Sequence, residues 1–148
     1  MNPYADLVTD LAQYLADEGV ADYRPDGKYP KGAHGIYIGP IPDSAATGVG
    51  LIVYSDDRDR DDASPDIRVQ IRVRGDRNPL PGGVCNRTAD RAFSVLHDRS
   101  NYQLAPDTGT HVLLSRRHLR APEERDENGR ITRADSYTFT TNPGGTQW

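Results

Sequence analysis

Apolar positions along the chain recur with two periods, one near 3.6 residues and one of 2, and the switches between them outline the elements. Leu7, Val8, Leu11, Ala12 and Leu15 sit at helical spacing and paint one face of a helix. Asn2 is its candidate cap and Pro3 suits the first position, where a missing N–H costs nothing. Gly19 predicts the stop. Pro25, Gly27, Pro30 and Gly32 mark residues 20–34 as a connecting loop, with Tyr23 and Tyr29 as candidate anchors. Ile36-Tyr37-Ile38 and Val49–Tyr54 read as strands on either side of a turn-rich stretch, and a charged, hydrated loop runs from Ser55 to Asp62.

The clearest strand is Ile67–Arg74. Its odd positions, Ile67, Val69, Ile71 and Val73, are apolar and β-branched, and its even positions are polar, so one face belongs to the core and the other to solvent or a partner. Gly75–Gly83, with Pro79 and Pro81, ends that strand and leads into a second helix, capped by Asn86 and buried along Ala89, Ala92, Phe93 and Leu96. The last third is strand-rich. It holds Tyr102–Leu104, then Thr110–Arg120, a polar turn containing the hairpin dipeptide Asn128-Gly129, and Ile131–Thr141 with Tyr137 and Phe139 on one side. The order α-β-β-β-α-β-β(-β) predicts an α+β fold, with one domain over residues 1–141 and a flexible tail over 142–148.

At 148 residues a second independent core is hard to fit. Leu, Ile, Val and Phe make up 28 residues, about 19%, a thin core that favours stabilisation by neighbouring subunits. The net charge of −4 is too small to imply disorder. With 18 basic against 22 acidic residues the chain lacks the strongly basic balance of a dedicated DNA-coating protein. A single cysteine, Cys85, allows no intrachain disulfide and no cysteine-based zinc site. No basic segment followed by an apolar run opens the chain, and no stretch approaches a membrane span, so the expected site of synthesis is the cytoplasm.

Candidate chemistry is sparse. The histidines 34, 97, 111 and 118 are scattered, and the odd spacing of His111 and His118 on one strand predicts opposite faces, so they read as ordinary surface or partly buried side chains. Asp57, Asp59 and Asp61 alternate like the first half of a calcium loop, but Asp62 stands where that loop needs Gly and Arg68 where it needs Glu. Asp66 followed by Gln70 and Arg72 has a faint nuclease pattern that lacks both the second carboxylate and the lysine. Cys85 and Ser94 have no evident His and Asp partners, and no phosphate-binding loop is present. Catalytic, metal and cofactor residues are therefore expected to be none.

The order and spacing of these parts resemble the tail terminator and minor capsid proteins of long-tailed phages, especially actinobacterial ones. The likeness covers roughly residues 4 to 141 and is carried by the helix Leu7–Leu15, the strand Ile67–Arg74 running into Gly75-Asp76, the second helix with Ala89, Asp90 and Leu96, and the hairpin ending in Tyr137-Thr138-Phe139. It implies a mixed, mainly antiparallel sheet packed by the two helices. It further implies a non-enzymatic virion protein, six copies of which form a ring on the head-proximal end of the tail tube and join it to the head connector. The implied partners are the protein itself, the major tail tube protein, the head–tail connector and, transiently, DNA in the lumen, with no membrane. Another neck or head-completion protein, or a small enzyme or binding domain with a scattered site, are the alternatives.

The basic residues Arg68, Arg72 and Arg74 on one strand, with Arg116, Arg117 and Arg120 on another, are the one constellation with a functional reading, as an oligomer or tube interface. The competing reading is a solvated strand face neutralised by Asp66, Asp76 and Asp135.

Overall fold

In the computed structural model, which describes residues 3–56, 66–104 and 110–142, the first helical period becomes α1 (Pro3–Asp17). Leu7, Leu11, Ala12 and Leu15 are fully buried along one side of it. Each of the leucines contributes about 1.5–3 kcal/mol relative to exposure. Gly19 adopts φ +80°; its N–H donates to the Ala16 carbonyl at 3.1 Å, and the Val20 N–H donates to that of Leu15 at 2.9 Å. This pair of bonds satisfies the last carbonyls of the helix and buries Val20 beside them. The expected cap, Asn2, lies outside the described residues.

The strands are β1 (Gly35–Ile38), β2 (Gly48–Asp56), β3 (Asp66–Arg74), β4 (Arg99–Gln103), β5 (His111–Arg120), β6 (Glu124–Arg125) and β7 (Ile131–Asn142). Helix α2 (Val84–Leu96) falls between β3 and β4. The strands form one sheet in the order β1-β2-β3-β7-β5-β4, with the short β6 pairing to the start of β7. Only β1 and β2 run parallel, so the sheet is mixed and mostly antiparallel, as expected. The turn Asp126–Arg130 closes the β6–β7 hairpin, with Gly129 at φ +79°.

Alternation decides which face is covered. Val49, Leu51, Ile67, Val69, Ile71, Val73, Tyr137 and Phe139 are buried beneath the two helices. Helix α1 packs on β1 and β2, and α2 on β3, β5 and β7. The Tyr14 hydroxyl, donating to the Val95 carbonyl at 3.0 Å, ties the helices to each other. Among the described residues the opposite face carries no helix.

The entry to α2 differs from the expected Asn86 cap. The cap is Gly83, at φ −71°, and it supplies no side-chain bond. A Cβ there would collide with the Asn78 carbonyl oxygen, so only glycine lets the loop fold back this tightly. Asn86 lies inside the first turn, buried, and its amide donates to the Pro79 carbonyl at 2.9 Å.

Both outer edges of the sheet are obstructed. Along β1, Asp22 forms a short parallel bridge, its N–H donating to the His34 carbonyl and its carbonyl accepting from Ile36. On β4, Asn101 adopts φ +53°, which breaks the extended line of the strand, and Arg99 folds over the Tyr102 ring at 4.7 Å.

Candidate interaction surface

On the helix side of β7 the alternation that buries Ile131, Tyr137 and Phe139 also buries Arg133 and Asp135. The Arg133 side chain is 0% exposed. Its Nε and Nη2 donate to the two carboxylate oxygens of Asp135 at 3.0 and 2.9 Å, a bidentate fork. Its Nη1 donates to Asn86 Oδ1 and Asp90 Oδ1, both at 3.0 Å, and thereby clamps α2 onto the sheet. Burial works against the charge of Arg133, but the Asp135 and Asp90 carboxylates outweigh it and raise its pKa further. Asp135 also receives Arg117 Nη1 at 3.3 Å, and the Arg117 guanidinium lies 3.9 Å from the Phe93 ring centre. Two cations thus meet two carboxylates in a balanced cluster, buried at Arg133 and Asp135 and open to solvent at Asp90, which is 57% exposed.

The uncovered face is where a partner can reach the sheet. Ile41 folds over it at one side, in close contact with Gly48 and Gly50. Arg74 fixes that crossover loop by donating to the carbonyls of Pro42 at 2.8 Å and Ala45 at 3.0 Å. Ala121, Pro122 and β6 rise at the other side. Between them lies a groove of about 570 Å³ floored by Ile52, Arg72 and Ala134. Elsewhere on this face Tyr54, Leu114 and Leu119 are 48%, 40% and 56% exposed; the other large apolar side chains exposed among the described residues are Ile38 and Leu80.

The six arginines do not form one row. Arg68, Arg72 and Arg74 share the uncovered face, as their even spacing predicts, but Arg74 is held inward by the crossover loop. Arg116 is exposed and pairs with Asp98 at 2.9 Å; Arg120 pairs with Glu123 at 3.1 Å. Arg117 points to the helix side, into the buried cluster. Of the carboxylates expected to neutralise the row, Asp135 does so for Arg117, whereas Asp66 accepts from the Thr140 hydroxyl at 2.6 Å and Asp76 from the Asn78 N–H at 3.0 Å. Asp126, 3.9 Å from Arg74, takes the part they leave. Burial opposes its charge, but the N–H groups of Arg130 and Asn128 and the Arg130 guanidinium hold its carboxyl below the usual range.

The histidines are engaged in separate places. His34 bridges Thr47 and Thr88 at 2.8 and 2.9 Å, His97 Nδ1 accepts from the Arg117 N–H, and His118 bridges Thr138 and Tyr54, each at 2.9 Å. The expected opposite facing of His111 and His118 does not hold. Strand β5 bulges between Val112 and Leu114 and again between Arg117 and Leu119. The first bulge brings Val112 and Ser115, three apart, to the same buried face, so parity along this strand no longer reports side. Among the described residues no group of three His, Cys, Asp or Glu could hold a metal. The partial calcium-loop pattern at 57–62 lies outside them. Burial pushes the Cys85 thiol up to about 11, which keeps it protonated and inert.

A two-layer domain whose sheet, among the described residues, has one face uncovered thus carries its accessible features on a surface. Residues 14–143 match the model of a family described as bacteriophage tail terminator protein. The chain belongs to the bacteriophage tail terminator family. The match runs from the last turn of α1 through β7 and takes in every strand and the whole of α2. As a tail terminator the chain is a structural protein of the phage tail, in a family that is generally not enzymatic. A comparison with curated proteins found no match. No helix among the described residues is long and apolar enough to cross a membrane.

Proposed function

We propose that this tail terminator acts as a ring of six subunits seated on the head-proximal end of the tail tube, where it stops polymerisation and joins the tail to the head connector. The observation that carries the reading is the family match over residues 14–143. The uncovered sheet face, with its exposed Tyr54, Leu114 and Leu119, supports it as a surface built to be covered. Its mechanism is differential binding: one side of the ring fits the last ring of tube subunits, and the other side refuses a further one. Arg72, Arg116 and Arg120 are the cations offered to partners, to neighbouring subunits and the tube and, in passing, to DNA phosphates in the lumen, with Arg68 beside Arg72 on the same strand face. Arg74 and Arg117 serve by holding the crossover loop and α2 in place.

The test is electron microscopy and native mass measurement of the purified protein, followed by its addition to polymerising tail tube protein. Six-fold rings and tubes that stop growing at one end are the expected results. A monomer at all concentrations, with tube growth unaffected, refutes the proposal. Rings that bind only a head-side adaptor would move the protein to another position in the neck.

A further inference from the structure

We propose that the groove on the uncovered face receives residues 143–148 of a neighbouring copy, with Trp148 as the anchoring side chain. This rests on the reading of the protein as a ring subunit and supplies the contact by which one subunit would hold the next.

The groove's chemistry suits that occupant. Ile41, Ile52, Pro122 and Ala134 present apolar surface, and Arg72 and Arg125 stand beside them, with the carboxylates of Glu124 and Asp126 also on the lining. Among the described residues Arg72 donates to the Gln70 side chain and Arg125 to the Gly129 carbonyl, and neither meets a carboxylate. Each guanidinium keeps donors to spare for backbone carbonyls, and its flat face can lie on an indole. The segment Pro143-Gly144-Gly145-Thr146-Gln147-Trp148 has no charged side chain to desolvate. It also carries the chain's single tryptophan, the side chain with the most apolar surface to gain from burial. The volume of about 570 Å³ lies in the range of sites that enclose small ligands, ample for an indole and adjoining backbone.

Reach selects a neighbour over the same subunit. The segment leaves β7 at Asn142, beyond its pairing with His111 at the far end of the sheet. The groove lies at the other end of β7, around Thr132 and Ala134. At roughly 3.4 Å per residue, the eight steps from Ala134 to Asn142 span about 27 Å, whereas the backbone of six residues spans at most about 21 Å; the indole extends that reach, but reversing direction onto the uncovered face uses up more than the indole adds. Trp148 therefore falls short of its own groove. A donor at one end and an acceptor at the other make a heterologous contact, which closes into a ring when the rotation per subunit allows.

The tryptophan is its own probe. In the full chain, assembly with rising concentration is expected to shift Trp148 emission to shorter wavelength and to lower its quenching by acrylamide several-fold, both reversing on dilution to monomers. Removing residues 143–148 should leave the circular dichroism spectrum unchanged and weaken assembly. Ala134→Arg, which fills the groove floor, should weaken assembly with Trp148 exposed, and if that variant misfolds the truncation decides. Rings in which Trp148 stays open to acrylamide overturn this proposal and leave the ring reading intact. Protected Trp148 in dimers or open chains supports the contact and refutes the ring. Protection already present in dilute monomer, or a monomer at every concentration, refutes the donated segment.

Discussion

Asp135 holds two guanidiniums at once inside the layer between sheet and helix, and that fixes what its loss should do. Asp135→Ala leaves Arg133, fully enclosed, with Asp90 as its remaining carboxylate and the Asn86 amide. Breaking such a pair from one side costs about 3–5 kcal/mol. Equilibrium urea denaturation should show that loss for Asp135→Ala, whereas Arg116→Glu, on an exposed pair, should change stability by less than about 1 kcal/mol. Equal effects from the two would mean that the buried cluster does not hold α2. His34 gives a prediction of a different kind. Burial, and then the Arg87 guanidinium, hold its pKa below the ordinary 6.5. As pH falls through 6.5 the unfolded chain takes up this proton before the folded one, so the contribution of His34 is complete above that value and shrinks below it. His118, lowered by burial and then by Arg68, acts with the same sign. His34→Gln is expected to flatten the fall in melting temperature between pH 7.5 and 5.5, and calorimetry at the two values checks it. The buried cluster itself had a signal in the sequence. The period that sets Tyr137 and Phe139 on one side sets Arg133 and Asp135 there too, yet charged residues ordinarily read as exposed, and their partners Asn86 and Asp90 come from a distant helix.

Among the elements, those with a sustained period were legible from the chain. Helix α1 and its glycine stop, β3, the α2 stripe of Ala89, Ala92 and Leu96, and the β6–β7 turn all lie where the spacing predicts, whereas Phe93, expected in that stripe, is only half-buried and stacks on His97. What was not legible came from tertiary context. The two bulges of β5 follow from its fit to β7 and leave no mark in composition. The start of α2 depends on a glycine meeting a loop carbonyl, which outweighed the side-chain preference pointing to Asn86. The groove is assembled from the crossover loop, the sheet floor and the β5–β6 connection, three segments far apart in the chain. Gly50 is where the first two meet. A Cβ there would lie 2.7 Å from the Gly39 carbonyl oxygen and 3.2 Å from Ile41. Gly50→Ala is therefore expected to lose about 1–3 kcal/mol through forced backbone displacement. Denaturation would check the loss, and proteolysis should then cut first within residues 39–47. A variant as stable as the parent would show that the crossover loop is not pressed to the sheet.

For the whole molecule the charges divide by location. Arg133, Arg117 and Arg74 act within the subunit, whereas Arg72, Arg116 and Arg120 are exposed at its surface. On the proposed ring reading, contacts of the exposed arginines with an acidic partner would be screened by salt, unlike the packing of an indole in a groove. Charge reversal at Arg116 is therefore expected to weaken tube binding, and raising ionic strength to do the same, while subunit assembly changes little. Sedimentation with and without tube protein at two salt concentrations separates the two effects. Loss of subunit assembly alone would place Arg116 between copies.

The obstructed margins of the sheet carry a last consequence. A backbone ladder with a free side recruits more strands, and a molecule made in many copies with two such sides would be a seed for fibres. Asp22 lies along one margin, and the turned Asn101 with Arg99 spoils the other. At these two places a further strand finds no straight, unpaired backbone to join, so copies that meet there must do so through side chains.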